Sequence, residues 1–111
     1  MNLMTFPDRA ALRSWLIENH RSARECWVAS YRSQQPLPDA LAYLDVVEEA
    51  LCFGWIDSTV KRTEDGRLAQ RISPRRKKSH WTVLNVRRCH DLERRGLMTD
   101  AGREAMPKEM I

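Results

Sequence analysis

The chain of 111 residues has the length of one domain, and its composition, 42% hydrophobic and 31% charged, is that of an ordinary globular protein rather than a disordered or collagen-like one. No apolar run approaches the ~18 residues of a membrane span, and Asp8 and Arg9 interrupt the N-terminus before a secretion signal forms, so a cytoplasmic protein is expected. The net charge of +4 is uneven: residues 1–56 hold five Lys/Arg against seven Asp/Glu, residues 57–111 hold fourteen against eight, and the basic half favours anionic partners.

Taken in chain order, Pro7 and Asp8 open a first helix, with Thr5 as its expected N-cap and Ala11, Leu12, Trp15 and Leu16 on its buried face. Residues 26–32, rich in aromatic and β-branched side chains, read as a strand. Pro36 and Pro38 make 33–38 a loop. A second helix is predicted over 41–53, with Tyr43, Val46, Val47, Ala50, Leu51 and Phe53 inward, Asp45, Glu48, Glu49 and Cys52 outward, and Gly54 as its stop. Strands over 55–62 and 67–73 flank an Asp65-Gly66 turn, and Pro74 ends the second of them. Ser79 is the expected N-cap of a third helix running to Arg95 and closed by Gly96, and Thr99 caps a short fourth that Pro107 stops.

The order α-β-α-β-β-α-α predicts a single α+β domain over 1–111: a small three-stranded antiparallel sheet, one strand plus a β-hairpin, packed with about four helices. Trp15, Leu16, Val47, Leu51, Phe53, Leu84 and Leu92 are expected to share its core.

The three cysteines, Cys26, Cys52 and Cys89, form no CxxC pair and are expected to be reduced. Cys52 lies at the negative end of a helix beside Glu48 and Glu49, which disfavours a thiolate, so a half-buried structural thiol is expected. His20, His80 and His90 lack metal-ligand spacing, and no phosphate loop or dinucleotide fingerprint occurs; no metal and no cofactor are expected. On the third helix, Trp81, Leu84, Asn85, Arg88, Cys89 and Leu92 fall in one stripe, so Arg88 either makes an ion pair, with Asp57 the natural partner, or lines a cleft. Arg71 and Arg75 approach Trp81 beside the start of that helix, where free N–H groups favour anions.

Leu51-Cys52-Phe53-Gly54-Trp55-Ile56-Asp57, Arg71-Ile72-Ser73-Pro74-Arg75, Trp81, Asn85, Gly96-Leu97-Met98 and Ala101-Gly102 resemble the YdeI/OmpD-associated (OmdA, bacteriocin-protection) family of bacterial proteins. Members of that family often carry Gly where this chain has Ser58, and longer members continue beyond the point where this chain stops, at Ile111. The resemblance implies a small bacterial protein linked to stress or protection from bacteriocins and cationic peptides, with Trp55, Asp57, Arg71, Pro74, Arg75, Trp81 and Asn85 as motif positions and no agreed reaction.

The expected function is therefore non-catalytic binding of an anionic small molecule or protein partner through Trp55, Asp57, Arg71, Arg75, Trp81, Asn85 and Arg88, converging at the start of the third helix. Two alternatives stand beside it: an enzyme using Asp57 as acid/base with Arg71 and Arg75, and a nucleic-acid binder using the basic run 75–78.

Overall fold

The computed structural model describes residues 1–77 and 79–108. In chain order it holds β1 (Leu3–Met4), α1 (Arg9–Asn19), β2 (Cys26–Tyr31), β3 (Leu41–Ala42), α2 (Tyr43–Cys52), β4 (Trp55–Arg62), β5 (Leu68–Pro74), α3 (Val83–Arg94) and α4 (Asp100–Ala105). The α+β class and four helices follow the pattern. The sheet does not: it has five strands and is mixed.

Its main path runs β1-β2-β5-β4, with β3 also paired to β2. The antiparallel part is the expected one, β2 against β5 and β5 against β4. The two extra strands are parallel to β2 and take its two ends, Leu3 opposite Trp27 and Leu41 opposite Ser30. Each has only two residues, too few for a period-2 pattern, and each is strand only because β2 lies beside it.

Helix α2 crosses the sheet and is the hub on which α1, α3 and α4 pack. Leu12 and Leu16 of α1, Val46 and Leu51 of α2, Val28, Trp55 and Ile72 of the sheet, and Cys89 and Leu92 of α3 form the centre of one core. Full burial of each large apolar side chain is worth roughly 1.5–3 kcal/mol.

The helix ends differ from expectation in informative ways. Asp8, not Thr5, caps α1, its carboxylate accepting from the Ala11 N–H at 2.9 Å. Thr82, not Ser79, caps α3, because the chain stays irregular through 79–82. Starting at Val83 takes Trp81 off the helix and centres its buried stripe on Val86, Cys89 and Leu92. Leu84 stands 55% exposed instead of in the core, and Asn85 and Arg88 sit on the flank of the stripe.

Glu49 and Cys52, placed outward on the α2 wheel, are both buried. The helix is covered on two sides, by sheet and by helices, so its buried arc exceeds a single apolar face. Arg9 and Arg13 of α1 meet the Glu49 carboxylate, Arg13 at 3.0 Å, and thereby offset the desolvation of its charge.

Candidate functional site

The seven predicted site residues separate into three places. Trp55 belongs to the core. It is 1% exposed, its ring meets Trp15 edge-on with centroids 6.0 Å apart, and its Nε1 donates to the His20 carbonyl at 3.3 Å. It frames no ligand site.

Arg71 lies on the sheet face turned away from the helices, since its neighbour Ile72 packs into the core and side chains alternate along the strand. Its Nε reaches Glu25 at 2.7 Å, and its Nη1 reaches Ser58 at 3.1 Å and Ser73 at 3.4 Å. Arg75 turns the other way. Its guanidinium stacks on Trp81 at 3.6 Å from the ring centroid, and its Nη1 donates to Ser79 at 3.1 Å and the His80 carbonyl at 3.3 Å. The expected convergence of Arg71 and Arg75 therefore fails, because one residue is on the strand pleat and the other is past its end. Arg75 Nε and Nη2 are buried without a partner among the described residues. Burial lowers the Arg75 pKa from its ordinary value, opposed by the nearby Cys89 and Asp57.

Asp57, Asn85 and Arg88 sit on the helix side. Asp57 pairs in register with Ile72 and so faces α2, where its Oδ2 accepts the Tyr43 hydroxyl at 2.8 Å. The expected Asp57–Arg88 ion pair is not formed; Arg88 Nη1 donates to Asn85 Oδ1 at 2.9 Å, one helical turn away. The Tyr43 pKa is raised, first by burial and then by the Asp57 carboxylate on its hydroxyl.

Two residues that sequence reasoning left out complete this region. Arg32, just past β2, lays its guanidinium 3.8 Å from the Tyr43 ring centroid. Tyr43 itself was expected on the apolar face of α2. Arg32, Tyr43 and Arg88, with Tyr31, Ala42 and Leu44, line a groove of about 430 Å³ that opens at the first turn of α2. Neither Arg32 nor Arg88 pairs with a carboxylate among the described residues.

The start of α2 also differs from the other helix starts. Asp8, Thr82 and Thr99 each accept a first-turn N–H from α1, α3 and α4, whereas Ala42 gives α2 no side-chain cap. The predicted anion site at the start of α3 has its first-turn N–H capped by Thr82, and the uncapped helix start lies one helix earlier. The sequence signal for it is Ala40-Leu41-Ala42 ahead of the helix, where no capping side chain occurs.

Cys52 is fully buried rather than half-buried, and burial, followed by the Glu49 charge, raises its pKa. Among the described residues no group of three or more His, Cys, Asp or Glu side chains is placed to hold a metal ion, and no helix is long and apolar enough to cross a membrane. Lys78, the last cation of the basic run, lies outside the described residues.

The chain belongs to the family described as Domain of unknown function (DUF8412), whose profile matches residues 4–105. No curated protein and no solved structure matches it. This overturns the resemblance to the YdeI/OmpD-associated family, on which the expected link to bacteriocin protection rested. The string that carried the resemblance has a folding explanation: Leu51, Cys52, Phe53 and Trp55 are all core residues at the turn from α2 into β4.

Proposed function

We propose that this member of a family without an assigned function binds a small organic anion, a carboxylate carrying an apolar body, in the groove at the first turn of α2. The observation that carries the reading is the grouping of an uncapped helix start with Arg32 and Arg88, two arginines free of carboxylate partners among the described residues. First-turn N–H groups carry positive partial charge worth about 0.3–1 kcal/mol to an anion, and each guanidinium adds donors in a fork that matches a carboxylate.

The apolar half of the ligand is accounted for by the walls of the groove. Tyr31 and Leu44 line it, and Leu44 is 54% exposed. Asp57 acts at one remove: by holding the Tyr43 hydroxyl it fixes the ring on which Arg32 stacks. Asp57 is thus a positioning residue, and binding needs no proton transfer from it.

Calorimetric titration with hexanoate and benzoate tests the proposal, with hexylamine as the control of opposite charge. Both acids bind and the amine does not. Arg32→Gln and Arg88→Gln together weaken binding by about tenfold or more, the scale of one charge-assisted hydrogen bond. Equal binding of the acid and the amine, or full affinity in the double variant, contradicts it.

A further inference from the structure

On the opposite side of the sheet, Arg71 borders a cavity of about 690 Å³, lined by Arg24, Arg71 and Arg76 and by the hydroxyls of Ser58, Ser73 and Ser79. We propose that this cavity is a second, separate binding site and that it takes a phosphate monoester.

Hydrogen-bond polarity selects this class of ligand. Ser58 and Ser73 each accept an N–H from Arg71, at 3.1 and 3.4 Å, and Ser79 accepts one from Arg75 at 3.1 Å. A serine oxygen that accepts from an arginine leaves its own O–H to donate. The lining therefore offers three hydroxyl donors and three guanidinium groups, and none of the lining side chains is a carboxylate. A ligand that complements it is rich in acceptors and negatively charged. A phosphate monoester, with three terminal oxygens and a charge of about −1.5 to −2 near neutral pH, fits this description better than a carboxylate with two oxygens and one charge.

The backbone is shaped for the same purpose. Between the pairs Asp57–Ile72 and Val60–Gln70 the β4–β5 ladder slips, so that Ser58 and Thr59 together oppose the single residue Arg71. This two-against-one bulge brings the Ser58 hydroxyl onto the Arg71 guanidinium. Bulges of this kind redirect a side chain out of the regular alternation.

Arg71 is held in place before any ligand arrives. Glu25 takes its Nε at 2.7 Å, the serines take Nη1, and Nη2 makes no hydrogen bond among the described residues. A preordered guanidinium loses little side-chain freedom on binding. Glu25 offsets one of the three arginine charges, which leaves a surplus of two, matched to a dianion. Ile56 and Pro74 complete the wall and give the organic part of the ester an apolar surface.

The probe is phenyl phosphate, titrated calorimetrically against the wild-type protein, Arg71→Gln, Arg76→Gln and the Arg32→Gln/Arg88→Gln double variant. Phenyl phosphate binds the wild type, more tightly at pH 7.5 than at pH 5 because its second ionisation lies near 6. Arg71→Gln and Arg76→Gln each weaken it by about tenfold, and the Arg32/Arg88 variant leaves it unchanged. Arg76 is exposed and its side chain makes no hydrogen bond among the described residues, so its variant keeps the fold and reads the site alone. Full affinity in both Arg71→Gln and Arg76→Gln overturns the proposal. So does a protein that binds a short single-stranded oligonucleotide but not phenyl phosphate, since that pattern belongs to a surface tracking a phosphodiester backbone.

Discussion

Three thiols and one carboxylate are enclosed where water does not reach them, and the fold accommodates them differently. Burial pushes the Cys26 thiol up to about 12, with Glu25 adding to the effect, and pushes Cys89 up to about 11. Cys52 moves in the same direction. A thiol whose pKa is raised on folding stabilises the native state below its unfolded value near 9, and that contribution is lost as pH climbs towards the folded value, because the unfolded chain then releases protons first. Urea midpoints are therefore expected to fall between pH 9 and 11, and to fall less in Cys26→Ala. An equal decline in the variant contradicts the assignment to this thiol. Glu49 is enclosed with its charge, held by Arg9 and Arg13. Glu49→Ala leaves those guanidinium groups facing each other over the lost carboxylate and is expected to cost about 3–5 kcal/mol in denaturant titration. A loss below 1 kcal/mol shows that the two arginines relax into water.

At the scale of elements, close approach decides what the short fourth helix tolerates. Gly102 of α4 lies against the end of α2, where an added Cβ would sit 2.5 Å from the Cys52 carbonyl oxygen. That same carbonyl accepts the Thr99 hydroxyl, while Thr99 caps α4, so one contact point both starts the helix and docks it. Gly102→Ala is expected to lower stability by about 1–3 kcal/mol through overpacking, read from the thermal midpoint. An unchanged midpoint indicates that α4 shifts freely. The elements legible in the sequence are those with a period or a turn of their own: α1 from its Leu12–Leu16 face, α2 from Val46 to Leu51, and the hairpin from Asp65-Gly66. β1 and β3 were not legible, because two-residue strands carry no period and exist only by pairing with β2. The start of α3 differs from expectation because Ser79, a good capping residue, is occupied by Arg75, and Thr82 caps the helix instead.

The same limits apply to the site. Asp57 and Arg88 do not pair with each other as expected, and Tyr43, which holds Asp57 and lines the groove with Arg88, looks in sequence like one more core aromatic. Arg71 and Arg75 share a segment, yet the pleat and the strand end send them to opposite faces, which spacing alone does not reveal.

Over the whole molecule, the charge asymmetry has a structural outlet. Asp45, Glu48 and Glu49, three of the seven acids of the first half, are taken up by Arg9, Arg13 and Arg95 in a seam joining α1, α2 and α3. With those acids engaged, Arg24, Arg32, Arg76 and Arg88 remain at the two sides of the sheet without carboxylate partners among the described residues. Two recesses among the described residues use these arginines, one at the start of α2 and one on the opposite sheet face. The central claim, that the α2 recess receives an organic carboxylate, is tested most directly by following backbone amide resonances while hexanoate is added. Tyr43, Leu44 and Asp45, the first-turn amides of α2, are expected to shift most and saturate together, with the Arg71 amide on the far sheet face unmoved. Maximal shifts at the start of α3, or uniform small shifts over all basic segments, contradict it.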